Sequence, residues 1–144
     1  MYLTKNEINQ LCYHILNCAI EVHKALGAGL LESIYERCML FELQSRGFKV
    51  ENQVNVPLIY KGNKLDSDLR LDLIVENTVI VELKTVEKIL PIHEAQIMTY
   101  LRLLDLPKGI IINFTSTNIM KFGQKTFVTK KFGNLPDGYR EESQ

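Results

Sequence analysis

Two charged residues interrupt a stretch that is otherwise almost wholly apolar. In Val79-Ile80-Val81-Glu82-Leu83-Lys84, strand alternation sends Glu82 and Lys84 to the same side. Just upstream, the same alternation puts Arg70, Asp72, Ile74 and Glu76 on one face and Leu69, Leu71, Leu73 and Val75 on an apolar one. Residues 69–75 and 79–86 read as a hairpin, and its loop length decides the chemistry. A two-residue loop leaves Asp72 opposite an odd-numbered residue, on the wrong face. A three-residue loop of Glu76, Asn77 and Thr78 sets Asp72 opposite Glu82 and Arg70 opposite Lys84. Asn77 tolerates the left-handed backbone such a loop requires. Directly opposed residues have Cβ atoms ~5 Å apart, and two carboxylates that close repel unless a cation or a proton lies between them. A hard divalent cation fits there, since Mg²⁺ takes one or two carboxylates together with water and phosphate oxygens. Lys84 then stands where it can hold an attacking water or offset charge on a reacting phosphate. Against this stands the ordinary reading of Glu-x-Lys on a strand, a solvated face with a surface ion pair.

A second group sits on a helix opened by Pro91. His93, Gln96 and Tyr100 follow spacings of three and four and share one face. Gln96 and Tyr100 can hydrogen-bond to a phosphate or to a metal-bound water. The competing reading makes Tyr100 the edge of the core and His93 a helix-start residue. Glu32 opens an earlier helix, where an acid ordinarily complements the helix dipole. Glu36, Arg37 and Glu42 read as solvated surface, and Lys88, beyond the strand end, is expected to matter little.

Several elements must position these residues. Thr4 and Glu7 have capping-box spacing, and Ile8, Leu11, Ile15, Ala19, Val22 and Leu26 recur at helical spacing until Gly27 and Gly29. A second helix is expected over residues 30–46, with Leu31, Ile34, Cys38, Phe41 and Leu43 as its apolar members and Gly47 at its C-terminal cap. Residues 48–60 read as one strand, or as two interrupted near Pro57, and Lys61-Gly62-Asn63-Lys64 is a turn. After the hairpin come a helix over residues 91–104, a short buried strand over 109–114, and a further strand near 126–129. The order α-α-β-β-β-α-β predicts an α/β (α+β) fold with a mixed central sheet flanked by helices.

The chain of 144 residues suits a single domain, with a core over about residues 8–129 and a polar tail over 132–144. Lys+Arg and Asp+Glu number 17 each, which excludes a strongly basic coat protein and an acidic disordered tail. A basic segment remains. Residues 108–131 hold five lysines and no acid, so the other 120 residues carry a net charge of −5. Such a segment can follow a phosphate backbone, or merely keep an edge strand soluble. No apolar run approaches the ~20 residues of a membrane span, and the polar N-terminus has no signal-like core, so a cytoplasmic protein is expected. Cys12, Cys18 and Cys38 match no zinc spacing and read as reduced, buried residues.

Gly29-Leu30-Leu31-Glu32-Ser33-Ile34-Tyr35 resembles the Gly-x-x-Glu-x-x-Tyr signature of the GxxExxY proteins. The likeness continues through Lys61-Gly62, Leu71-Asp72-Leu73, Val81-Glu82-Leu83-Lys84, Pro91-Ile92-His93-Glu94-Ala95-Gln96, Tyr100-Leu101-Arg102 and Gly109 to Phe114. That family is placed in the PD-(D/E)XK nuclease-like superfamily, and Gln96 with Tyr100 looks like the Gln-x-x-x-Tyr motif of its RecB-like members. The departure is Leu71, where many members have Gly or Pro before the Asp. The resemblance implies that Asp72, Glu82 and the carbonyl of Leu83 hold Mg²⁺ or Mn²⁺, with Glu32 adding a direct or water-mediated contact. It also implies that Lys84 orients the water and that Gln96 and Tyr100 contact the phosphate. The implied activity is phosphodiester hydrolysis on nucleic acid, with DNA favoured, and a homo-oligomer is compatible with it. The alternative is a catalytically weak nuclease-fold module that binds nucleic acid or a protein partner.

Overall fold

The computed structural model describes residues 2–138. Helix α1 (Lys5–Leu26) starts where Thr4 accepts the Glu7 N–H at 3.2 Å and donates its hydroxyl to the Glu7 carboxylate at 3.0 Å. It ends at Gly27, whose φ of +69° only glycine adopts without strain. Helix α2 (Glu32–Ser45) begins two residues later than expected and buries a different stripe. Tyr35, Met39 and Leu43, spaced by four, face the core. Leu31 and Phe41, expected as apolar members of the core face, are 73% and 71% exposed. A stripe at i, i+4 and i+8 leaves position 41 on the outer side of the helix.

Five strands form the main sheet, in the order β1 (Val50–Asn55), β4 (Arg70–Val75), β5 (Val79–Lys84), β6 (Lys108–Asn113) and β7 (Gln124–Val128). All neighbours are antiparallel except β5 and β6. Parallel strands need a crossover, and helix α3 (Pro91–Leu104) supplies it. Helices α1 and α2, with the short α4 (Ile119–Phe122), cover one face of the sheet through Leu73, Val75, Val79, Val81, Leu83, Ile110 and Ile112. Helix α3 covers the other face through Ile74, Ile80 and Ile111. It lies so close to β6 that a Cβ on Gly109 would come within 2.8 Å of Ile97.

This is the expected mixed α/β architecture, with three local differences. Pro57 does divide the 48–60 segment, but its second part forms a separate hairpin, β2 (Leu58–Tyr60) with β3 (Asn63–Leu65), turning through positive φ at Lys61 and Gly62. Leu71 and Leu69 do not join Leu73 and Val75; they pack with the α3-side cluster. The strand therefore changes face across Asp72, opposite the left-handed Gln53 of β1. Part of the expected tail is built into the fold. After α5 (Lys130–Gly133), Phe132 and Leu135 pack on the core, and the carbonyls of Pro136 and Asp137 accept the first N–H groups of α1. Those groups have no partner within the helix. Residues 139–144 of the tail lie outside the described residues.

Candidate active site

The β4–β5 loop is the three-residue one. Val75 opposes Val79, and Glu76 and Asn77 both take left-handed backbone, with φ of +52° and +50°. Asn77 is suited to that conformation; Glu76 is not, and its contacts compensate. The Glu76 carboxylate accepts the Lys49 N–H at 2.8 Å and the Tyr2 hydroxyl at 3.2 Å, and its own N–H donates to the Lys49 carbonyl. Glu76 thus ties the hairpin tip to the chain entering β1. The register Val75↔Val79, Ile74↔Ile80 and Leu73↔Val81 sets Asp72 against Glu82. The ladder stops there and does not extend to Arg70 and Lys84; Arg70 pairs with Asn55 on β1. In place of the ladder, Asp72 Oδ2 accepts the Leu83 N–H at 2.8 Å.

Glu82 is 5% exposed, and its Oε1 is buried with no hydrogen-bond partner. Burial, then the charge of Asp72, pushes the Glu82 carboxyl up from 4.5 to about 9. The two groups stand close enough to share a proton, and Lys84 on the same strand offsets only part of the cost. The Lys84 ammonium enters no ion pair among the described residues. From α3, Tyr100 points to the same place. Its phenol is held above its ordinary value first by burial, then by Glu82 and Asp72, and the Gln96 amide hydrogen-bonds it. Gln96 itself is exposed. His93 is the helix-start residue of the competing reading, since its Nδ1 accepts the Leu90 N–H at 3.0 Å.

Glu32 reaches the end of β5 from the other layer. Its Oε1 accepts the Thr85 N–H at 3.3 Å and the Thr85 hydroxyl at 3.4 Å. What holds Glu32 there is Tyr35, a residue the sequence reading quoted but gave no role. Tyr35 is wholly buried and stacks on Phe114 with ring centroids 4.3 Å apart. Its hydroxyl donates to the Gly27 carbonyl at 2.6 Å and accepts the Leu30 N–H at 3.3 Å, clasping the α1–α2 loop at both ends. Asn113 is a second positioning residue that went unassigned. Its buried side chain donates to the Val86 carbonyl at 2.7 Å and accepts the Val86 N–H at 3.2 Å, fixing the chain just past Lys84. The signals were an asparagine closing an apolar run and a tyrosine one turn after a helix-opening acid. Glu36, read as surface, also reaches the sheet, accepting from the Gln53 amide. Tyr35→Phe is expected to cost about 1–3 kcal/mol in urea unfolding, because two backbone groups lose a buried partner. Unchanged stability would show that the hydroxyl does not hold the loop.

A family model described as the PD-(D/E)XK nuclease superfamily matches residues 9–126. The chain belongs to this superfamily. Comparison with curated proteins and with solved structures finds no significant match. For a PD-(D/E)XK domain the matched span contains every residue brought to the sheet end here: Glu32, Asp72, Glu82, Lys84, Gln96 and Tyr100. Among the described residues, no group of three His, Cys, Asp or Glu side chains converges to hold a metal by side chains alone. The donor set nevertheless fits a hard divalent cation. A buried carboxylate oxygen without a partner faces a second carboxylate, and such a cation typically uses one or two carboxylates. The basic segment is less concentrated than its sequence suggests. Lys108 is buried against Asn9, Lys125 pairs with Glu94 at 2.7 Å, and Lys131 pairs with Asp105.

Proposed function

We propose that this PD-(D/E)XK domain is a nuclease that hydrolyses phosphodiester bonds of nucleic acid, with DNA the favoured substrate and Mg²⁺ or Mn²⁺ as cofactor. The observation that carries this reading is the buried Glu82 carboxyl beside Asp72, its Oε1 without a partner, with Lys84 two residues further on the same strand face. Burying a carboxyl beside a second carboxylate is costly and persists where a function needs it. Asp72, Glu82 and the Leu83 carbonyl would hold the cation, and Glu32 would add a contact from the end of β5. The cation would polarise the phosphate and acidify water. Lys84 orients the attacking water and offsets charge on the phosphate, and Tyr100 with Gln96 holds a phosphate oxygen. The finer likeness to the GxxExxY proteins rests on the motif residues. No helix among the described residues is long and apolar enough to cross a membrane.

One observation favours the second reading, a catalytically weak binding module. Glu32 is engaged by Thr85, and among the described residues no three acids converge. Metal titration decides between the two. Mn²⁺ or Mg²⁺ is expected to raise the melting temperature of the wild-type protein by mass action, and Asp72→Asn is expected to lose that rise and keep its fold. Labelled single- and double-stranded DNA and RNA should be cut only with metal present. A wild-type protein that binds one of them and cuts none belongs to the second reading, and a metal shift retained by Asp72→Asn locates the metal elsewhere.

A further inference from the structure

Beside the candidate active site, a polar cavity of about 350 Å³ opens between the chain leaving β5, the end of β6, α4 and β7. Its lining includes two lysines and two acids, Lys88, Lys125, Glu87 and Glu94, together with Asn113 and Phe122. The β5–β6 register pairs Asn113 directly with Lys84. Neighbouring strands run ~5 Å apart, so the cavity begins one strand away from the lysine assigned to the reacting phosphate. Two side chains of the lining are open to a ligand. Phe122 is 67% exposed, with the Lys121 ammonium 5.3 Å from its ring centroid. Lys88 is exposed and enters no ion pair among the described residues, whereas Lys125 is neutralised by Glu94.

An exposed aromatic face and a cation outside the described ion pairs, beside one cavity, match a nucleotide: a base to stack and a phosphate. Base–aromatic stacking is a standard source of single-strand affinity. We propose that this cavity binds the nucleotide adjoining the scissile phosphate of a single-stranded substrate. Phe122 stacks the base and Lys88 meets the flanking phosphate. Lys88 thereby gains a role that its place beyond the strand end did not suggest. The inference rests on the nucleic-acid reading above.

The test uses the full chain carrying Glu82→Gln, so that nothing is cut, and fluorescence anisotropy with a short labelled single-stranded DNA. Adding Phe122→Ala is expected to weaken binding by about fivefold to a hundredfold, the range of one lost base stack. Because Phe122 is mostly exposed, that variant should fold. An abasic residue scanned along the DNA should weaken binding at one position in the parent and leave Phe122→Ala unaffected there. Lys88→Ala should make the log-affinity against log-salt slope shallower by about one. A parent that binds the DNA equally well with Phe122→Ala, and with no position sensitive to base loss, overturns the subsite alone. A parent that binds no nucleic acid overturns the nucleic-acid reading and the subsite with it.

Discussion

Lys84→Ala should abolish phosphodiester cleavage while preserving the metal-induced rise in melting temperature. An ammonium cannot ligate a cation, so its removal leaves the carboxylate pair available to metal. In the proposed role, its contribution comes when a water attacks and charge develops on the phosphate, an interaction made in the transition state and not in the ground state. Losing one preorganised electrostatic group at such a point typically costs about 10²–10³ in rate. The loss should therefore appear in kcat, with substrate affinity nearly unchanged. Lys84 stands on the α3 side of β5 in the row of Asn113, and among the described residues it has no ion-pair partner to redirect it. A lysine on the separate β2–β3 hairpin, Lys64, is the control, and its removal should leave cleavage unchanged. Cleavage at the wild-type rate by Lys84→Ala would refute the assigned role even if the protein proves to be a nuclease.

Glu82→Gln should make the metal-free protein more stable and the metal irrelevant to it. The buried Glu82 carboxyl keeps its proton up to about pH 9, against an ordinary value of 4.5. Across that window the native state holds a proton that the unfolded chain has released. Stability therefore falls as pH rises from 4.5 towards 9, by about 1.4 kcal/mol per pH unit for one proton. By pH 7 the cost has reached about 3 kcal/mol, and glutamine, a neutral isostere able to donate to Asp72, removes it. That should show as a melting temperature higher by roughly 10 °C at pH 7, with the gain shrinking towards pH 4.5. The same substitution takes a negative ligand from the cation, so Mn²⁺ should no longer shift the transition. At the proposed metal site the cation would displace the shared proton, so metal affinity of the wild type should rise with pH. A Glu82→Gln protein no more stable than the wild type at pH 7 would show that the Asp72–Glu82 pair carries no strain.

Much of this was written in local pattern. The period-2 alternation of 79–84 placed Glu82 and Lys84 on one side, and the parity of a three-residue loop set Asp72 against Glu82. Pro91 opened α3, and spacing by four put Gln96 and Tyr100 on one face of it. These features depend on distances of a few residues along the chain, where backbone geometry leaves few choices. Tertiary packing decided what local pattern leaves open. Strand alternation alone put Leu71 beside Leu73, but the strand changes face at Asp72, where a side chain replaces the ladder and takes the Leu83 N–H. Helical spacing could not tell Phe41 from Met39 as the buried residue of α2, because that depends on which face meets the sheet. Nor could spacing bring Glu32 to Thr85, 53 residues away, or show that Tyr35 clasps the loop that holds it there. The five lysines form one segment along the chain, yet folding buries one and pairs two with acids brought from elsewhere. Charge along a chain is set by sequence; charge at a surface depends on which partners folding brings within reach.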